Sequence, residues 1–301
     1  MKETIFDVII IGGSYAGLSA AMSLGRSTRR TIVIDSGMPC NRQTPHSHNF
    51  ITQDGSKPAE IAAAARKQVE AYPTVKFLND LAITGRKTST GFEISTASGQ
   101  ILEGKKLILA TGIQDIMPDI KGFQECWGIS VIHCPYCHGY EFRGKKTAIM
   151  TNGARAMHLA SLVRNLTGDL TILTSGTPDF SSEDLEKLTR NNVRVIPDQV
   201  IEILHYEGNV HQLAFADGTR ADFDAVYASL PFRHHTDIHT SLGCALNEQG
   251  YIQVDNMYKT TVPGVFACGD NASPLRSVAN AVATGNFAGA VANSGLAQEE
   301  F

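Results

Sequence analysis

The chain has 301 residues, 43% of them hydrophobic and 19% charged, which is enough for two domains with separate cores. A formal net charge of −4 leaves no broad basic field and argues against nucleic acid as a partner. No apolar run approaches the roughly 18 residues of a membrane span, and Met1-Lys2-Glu3-Thr4 leads straight into an apolar strand rather than a cleavable signal, so a cytoplasmic protein without a membrane partner is expected.

Phe6-Asp7-Val8-Ile9-Ile10-Ile11 is a continuous apolar run, the pattern of a strand buried on both faces of a parallel sheet. Gly12-Gly13-Ser14-Tyr15-Ala16-Gly17 and a small-residue helix follow, the strand–turn–helix arrangement whose amides and helix N-terminus receive a pyrophosphate. Ser14 stands where the full fingerprint has its middle glycine. Thr31-Ile32-Val33-Ile34 predicts the second strand, ending in Asp35, where an acid accepts ribose hydroxyls. Residues 36–54 form a polar, turn-rich connection with Arg42, His46, His48 and Asn49, long enough to suggest a functional loop. Its histidines read equally as hydrogen-bonded loop residues. A helix is predicted over 57–72, then strands at 75–78, 81–85, 91–95, 101–103 and 106–112, the last ending in Ala110-Thr111-Gly112.

Residues 117–127 read as a linker holding the only tryptophan, and behind it comes His133-Cys134-Pro135-Tyr136-Cys137-His138-Gly139-Tyr140-Glu141. Two cysteines three apart, on one turn at a helix start beside histidines, suit a redox-active disulfide with a lowered thiol pKa. Half of a zinc site is the alternative, but zinc needs a second ligand pair and no second CxxC exists, so no metal is expected. Cys40, Cys126, Cys244 and Cys268 are isolated and read as buried packing thiols. A second strand–turn–helix begins at Lys146, with the turn Thr151-Asn152-Gly153-Ala154-Arg155-Ala156, a helix over 157–166 and a strand over 170–173. A helix over 181–191 capped by Ser181 or Ser182 and strands at 193–196, 200–205, 210–215 and 225–228 complete this part. The first pattern returns from about Gly243, with strands at 251–255 and 265–270 ending in Gly269-Asp270, and a small-residue helix over 278–293.

With Gly12–Gly17, Asp35, Ala110-Thr111-Gly112, Cys134, Cys137 and Gly269-Asp270 in this order, the chain resembles the low-molecular-weight thioredoxin reductases over essentially its whole length. The resemblance implies an α/β fold of two Rossmann-like dinucleotide-binding domains (three-layer ββα), the second inserted in the first. Residues 1–114 and 243–301 would form the FAD-binding domain, and 115–242 a pyridine-nucleotide-type domain carrying the CxxC. A homodimer is also implied. FAD would be held by Gly12, Gly13, Ser14, Ala16 and Gly17, by Asp35, Ser36, Arg42 and Asn49, and by Ala110, Thr111 and Gly112. Gly269 and Asp270 would bind its ribityl-pyrophosphate, with Arg276, Ser277 and Val278 near the ring. Cys137 would face the flavin, Cys134 would exchange with substrate, and His138, standing where the family usually has Asp, would handle protons.

Two departures bear on the electron donor. The second glycine turn is degenerate, and Leu173-Thr174-Ser175-Gly176-Thr177-Pro178 has no cation where NADPH-dependent members hold the 2′-phosphate, so use of NADPH is left open. The segments Asp35-Ser36-Gly37, Arg42, Thr44, His46-Ser47-His48-Asn49, Glu125-Cys126-Trp127 and the CxxC run are similar to the dithiol oxidases that close disulfides in gliotoxin- and holomycin-type metabolites. That likeness implies electron transfer to oxygen, and a catalytic histidine at His46 or His48. The expected partner is a thioredoxin-like protein or a small-molecule dithiol or disulfide. Reductase, oxidase and non-turnover redox sensor all remain open from the residues.

Overall fold

In the computed structural model, which describes residues 5–301, β1 (Phe6–Ile11) is buried along its whole length. Met1 to Thr4, read above as leading into this strand, lie outside the described residues. The chain continues through α1 (Tyr15–Arg26), β2 (Thr31–Asp35), α2 (Pro58–Glu70), β3 (Val75–Asn79), β4 (Ala82–Lys87), β5 (Phe92–Thr96), β6 (Ile101–Leu109) and β7 (Ile113–Asp115). Next come α3 (Phe123–Cys126), β8 (Val131–Ile132), α4 (Pro135–His138), β9 (Thr147–Met150), α5 (Gly153–Val163), β10 (Leu170–Leu173) and α6 (Ser182–Arg190). Then follow β11 (Arg194–Ile196), β12 (Val200–Tyr206), β13 (Asn209–Phe215), β14 (Arg220–Asp222) and β15 (Ala225–Ala228). The last elements are β16 (Phe232–His234), α7 (Ile238–Ser241), β17 (Val265–Ala267) and α8 (Val278–Glu300). None of the helices among the described residues is long and apolar enough to cross a membrane.

Two compact units result. One holds the chain up to Arg42, Asn49–Gln114 and Arg233–Phe301; the other holds Gln43–His48 and Asp115–Phe232. The second crossing therefore falls at Phe232, ahead of the expected 242, because Ile238 of α7 enters the first unit's core beside Gly85 of β4.

In the first unit the sheet order is β3-β2-β1-β6-β5-β4, with β17 also on β6. Strands β1, β2, β3, β6 and β17 pair in parallel, whereas β4, β5 and the start of β6 form an antiparallel meander. The strands expected separately at 101–103 and 106–112 are thus one strand. Its first residues pair with β5 and Leu107, Ile108 and Leu109 pair with β17 on the same edge. The expected strand over 251–255 is corrected to turns with isolated bridges Leu246↔Ile252 and Val254↔Thr260. Side chains close a turn at each end of it: Tyr251 N donates to Asn247 Oδ1 at 3.0 Å, and Asp255 Oδ1 accepts from Met257 N and Lys259 N at 2.8 and 2.9 Å.

In the second unit a parallel sheet runs β11-β10-β9-β15-β8, beside an antiparallel β12-β13-β14 sheet. The presumed linker 117–127 is instead part of the core: Phe123 is fully buried and stacks on Trp127 with centroids 5.8 Å apart. Helix α6 starts where a serine cap was expected, with Ser181 and Asp184 forming a reciprocal capping box.

Helix α8 packs on α1 backbone to backbone. A Cβ at Gly285 would lie 2.0 Å from Ala16 O, and one at Gly289 would lie 2.6 Å from Ala20 O. Ser19 Oγ donates to Val282 O at 2.7 Å across the same seam. Gly285→Ala is therefore expected to destabilise the protein by about 1–3 kcal/mol, the range for overpacking. Gly295→Ala in the same helix meets nothing within 4 Å and should be neutral or stabilising by up to about 1 kcal/mol. Denaturant unfolding of the two variants checks the contrast; equal effects would mean that the α1–α8 seam accommodates a side chain.

Candidate active site

The first glycine turn is shaped by close backbone approach. Gly12 has φ +103°, and a Cβ there would sit 2.2 Å from Ala110 O; one at Gly17 would sit 1.8 Å from Gly12 O. Gly13 N donates to Asp35 Oδ1 at 3.0 Å, tying the turn to the acid at the end of β2. Ser14 is the N-cap of α1 without a side-chain cap, and no acidic residue occupies the helix's first turn, so its amides face an uncompensated positive end. Ala16 is packed rather than open, between Gly269 and Gly285.

At the ends of β6 and β17, Gly112 and Gly269 both have positive φ, and Gly269 N donates to Thr284 Oγ1 at 3.0 Å. Asp270 Oδ2 lies 3.9 Å from Arg276 Nε and 3.9 Å from Cys40 Sγ. Asn271, which the sequence did not single out, is fully buried and donates to Leu109 O and Thr111 Oγ1 at 2.9 and 3.1 Å, while its Oδ1 is buried without a hydrogen bond. An extended, anionic dinucleotide such as FAD fits this ridge: a turn without room for side chains, an acid at the ribose position, and an orphaned buried carbonyl at the far end.

The remaining residues expected at this cofactor make local contacts. Ser36 is exposed, Arg42 Nη1 donates to Pro39 O at 3.1 Å, and Asn49 has φ +60° and donates its N–H to Asp54 Oδ1 at 2.7 Å. Ser277 is the N-cap of α8, its hydroxyl accepting from Asn280 N at 3.1 Å, and Val278 begins that helix.

In the second unit Cys134 is the N-cap of α4, with Pro135 at the first helical position and Cys137 N and His138 N both 3.3 Å from Cys134 O. Neither sulfur is fully buried. The segment Gln43–His48 belongs to this unit and rests on the left-handed turn at Gly128 (φ +79°), where a Cβ would meet Gln43 and Thr44 side-chain atoms at 2.9 and 3.0 Å. His48 Nε2 thereby comes 3.6 Å from Glu141 Oε1, and the His46 and His48 rings lie 6.5 Å apart, with His46 exposed. His138 is affected by both groups. Burial, then His48, hold its imidazole below the ordinary 6.5, while Glu141 pulls the other way. Glu141 was legible only as the end of the CxxC segment; its partner lies far away in sequence. Among the described residues no cluster of three or more His, Cys, Asp or Glu could hold a metal ion.

Three of the isolated cysteines are packing residues as expected: Cys126, Cys244 and Cys268 are buried, and burial pushes the Cys126 and Cys268 thiols up to about 12. Cys40 corrects the expectation. It is exposed, because the loop after β2 leaves the sheet without a covering element.

The second strand–turn–helix is closed upon itself. Asn152 caps α5, its Oδ1 accepting from Gly153 N at 2.8 Å and from Asp179 N at 2.9 Å, and its Nδ2 donates to Thr177 O at 2.9 Å. The Asp179 carboxylate is drawn against the helix start: a Cβ at Gly153 would be 3.1 Å from Asp179 Oδ2. Arg155 Nη1 donates to Ser229 Oγ at 2.9 Å.

A family model described as pyridine nucleotide-disulphide oxidoreductase matches residues 6–285. The thioredoxin reductase tcpT of Claviceps purpurea is 34% identical, covering 98% of this chain and 95% of its own. The thioredoxin reductase aclD of Aspergillus oryzae is 33% identical, covering 100% and 99%. Among solved structures, an oxidoreductase from Agrobacterium tumefaciens matches with a TM-score of 0.92 and 37% identity, over 98% of this chain and 99% of its own.

With its folded value below 6.5, His138 holds fewer protons in the folded than in the unfolded chain just under that pH. Its contribution is therefore complete above 6.5 and declines as pH falls towards the folded value. His138→Gln should reduce the loss of thermal stability between about pH 7 and pH 5. Glu141→Gln should move the His138 titration, read by NMR, further down. An unmoved titration would show that the carboxylate does not act on this ring.

Proposed function

Because the chain belongs to the pyridine nucleotide-disulphide oxidoreductase family and is a thioredoxin reductase-like disulfide oxidoreductase of the FAD-dependent type, we propose that it oxidises small-molecule dithiols through Cys134 and Cys137, with oxygen rather than NADPH as its redox partner. The observation that carries this direction is the start of α5. A nucleotide pyrophosphate needs that helix N-terminus, yet Asn152 caps it and the Asp179 carboxylate stands against it. A second anion there meets repulsion instead of an amide cradle. The loop after β10, from Thr174 to Pro178, offers hydroxyls and no cation to a 2′-phosphate.

In the reaction a substrate thiolate attacks the Cys134 sulfur of the oxidised pair; the Cys134–Cys137 bond breaks and Cys137 leaves as thiolate. The second substrate thiol then attacks the substrate sulfur of the mixed disulfide, forming the product disulfide and releasing Cys134 as thiolate. Two protons leave the substrate, and His138, kept neutral near pH 7 by burial and His48, accepts one of them. His48, held towards Glu141 at 3.6 Å, is the second proton-handling group, and His46 the more distant one. When bound, FAD supplies the two-electron acceptor for the reduced pair, with Cys137 as the electron-passing thiol. Gly12 to Gly17, Asp35, Thr111, Gly269, Asp270 and Arg276 would hold it, supported by the close backbone approaches around them. The pattern of an FAD domain in two pieces around a degenerate nucleotide domain fits the two units, and a homodimer is taken from the family resemblance.

The names of the relatives favour a second reading, a reductase of a thioredoxin-like protein, for which NADPH would be the electron donor. Mixing the purified flavoprotein without oxygen, first with NADPH and separately with a reduced dithiol, separates the two. Bleaching of the flavin by the dithiol alone, with colour returning in air, is expected; rapid bleaching by NADPH would overturn the oxidase reading. Cys137→Ser should retain FAD but lose bleaching by dithiol, and retained bleaching would overturn the assignment of the pair.

A further inference from the structure

Strand β15 lies between β9 and β8, and all four of its residues, Ala225 to Ala228, are buried. Three of them are aliphatic; the fourth, Tyr227, is a phenol with 1% exposure, in register with Ile132 of β8 and Ile149 of β9. It packs in one cluster with both. A phenylalanine would fill this space without the desolvation of a hydroxyl, so the oxygen calls for a reason.

That oxygen reaches the redox turn. Gly139 closes α4, its N–H donating to Pro135 O at 2.9 Å, and a Cβ built on Gly139 would sit 2.6 Å from Tyr227 Oη. The hydroxyl therefore lies against the single turn whose N-cap is Cys134 and whose C-cap is Gly139. The titratable groups around this turn are His133 just before it, Cys134, Tyr136, Cys137 and His138 on α4 and its cap, Tyr140 and Glu141 just after it, His46 and His48 on the 43–48 segment, and Tyr227 from the sheet below.

We propose that Tyr227 is a positioning residue for the redox pair, its hydroxyl donating towards the sulfur of Cys134 when that sulfur is a thiolate and so favouring the ionised, exchanging form. This role deepens the function proposed above and rests on Cys134 being the exchanging thiol. Burial, then the neighbourhood of Cys134 and Glu141, hold the phenol well above its ordinary value, so it keeps its proton and acts as a donor rather than a base. Glu141 has the same sign as a thiolate and cannot do this work; a neutral donor can.

The test uses FAD-loaded protein in a Cys137→Ser background, with Cys134 alkylation by iodoacetamide followed against pH by peptide mass spectrometry and exposed Cys40 as the internal reference. Tyr227→Phe should raise the apparent pKa of Cys134 by about one unit, slowing its alkylation about tenfold at pH values below both midpoints, as expected for loss of one hydrogen bond to a charged group. Replacement of Tyr227 by 3-fluorotyrosine, a stronger donor of almost the same shape, should shift it the opposite way. A merely structural phenol would not produce that opposite shift. Superimposable pH profiles for Phe, Tyr and fluorotyrosine overturn the proposal, as does any order other than Phe above Tyr above fluorotyrosine. Should Tyr227→Phe fail to fold, the fluorotyrosine comparison decides alone. Failure of the pair assignment shows elsewhere, as dithiol bleaching that survives Cys137→Ser, and leaves the alkylation order intact.

Discussion

No side chain fits between the first turn of α1 and the segments that flank it, and the first unit depends on that exclusion. Gly12 is pressed against Ala110, Gly17 against Gly12, Gly285 against Ala16 and Gly289 against Ala20. These approaches bring the ends of β1, β2 and β6, the start of α1 and the middle of α8 to one place. The result is a ridge of backbone amides with Asp35 at one end and Asn271 at the other. Binding chemistry here is made by the main chain, and the side chains mostly keep out of the way.

The second unit repeats the strand–turn–helix plan with opposite electrostatics. In α1 the first turn carries no acid and its N-cap serine makes no cap bond, so the positive end of the helix is available to an anion. In α5 the equivalent end is capped by Asn152 and faced by Asp179. One architecture thus appears twice, once with an uncapped helix end and once with that end satisfied by its own side chains. What the second copy presents instead is the short turn from Cys134 to Gly139, held from below by the sheet and from the side by the 43–48 segment.

The parts of this arrangement legible in the sequence were those written in local patterns. Buried parallel strands, the glycine turn, the Ser181 cap and the CxxC all declare themselves within a few residues. The two strands read at 101–112 merged because a change of pairing partner along one edge leaves no mark in the sequence. The strand read at 251–255 gave way to turns because Asn247 holds the Tyr251 amide and Asp255 closes the following turn on Met257 and Lys259. The site's less visible members all lie against distant partners: His48 against Glu141, Asp179 against the start of α5, Asn271 against Leu109 and Thr111, and Tyr227 against Gly139. Only folding pairs them. Cys40 was misjudged for the same reason, since nothing adjacent to it says that its loop lies uncovered.

Burial of the packing thiols has a consequence for fidelity. A thiol pushed up to about 12 by burial, as those of Cys126 and Cys268 are, stays almost wholly protonated at neutral pH. Disulfide exchange proceeds through the thiolate, so these sulfurs are kinetically silent bystanders even when oxidant is present. The hydrophobic core acts here as an insulator for the three cysteines it covers, so that only Cys40, Cys134 and Cys137 present sulfur towards solvent.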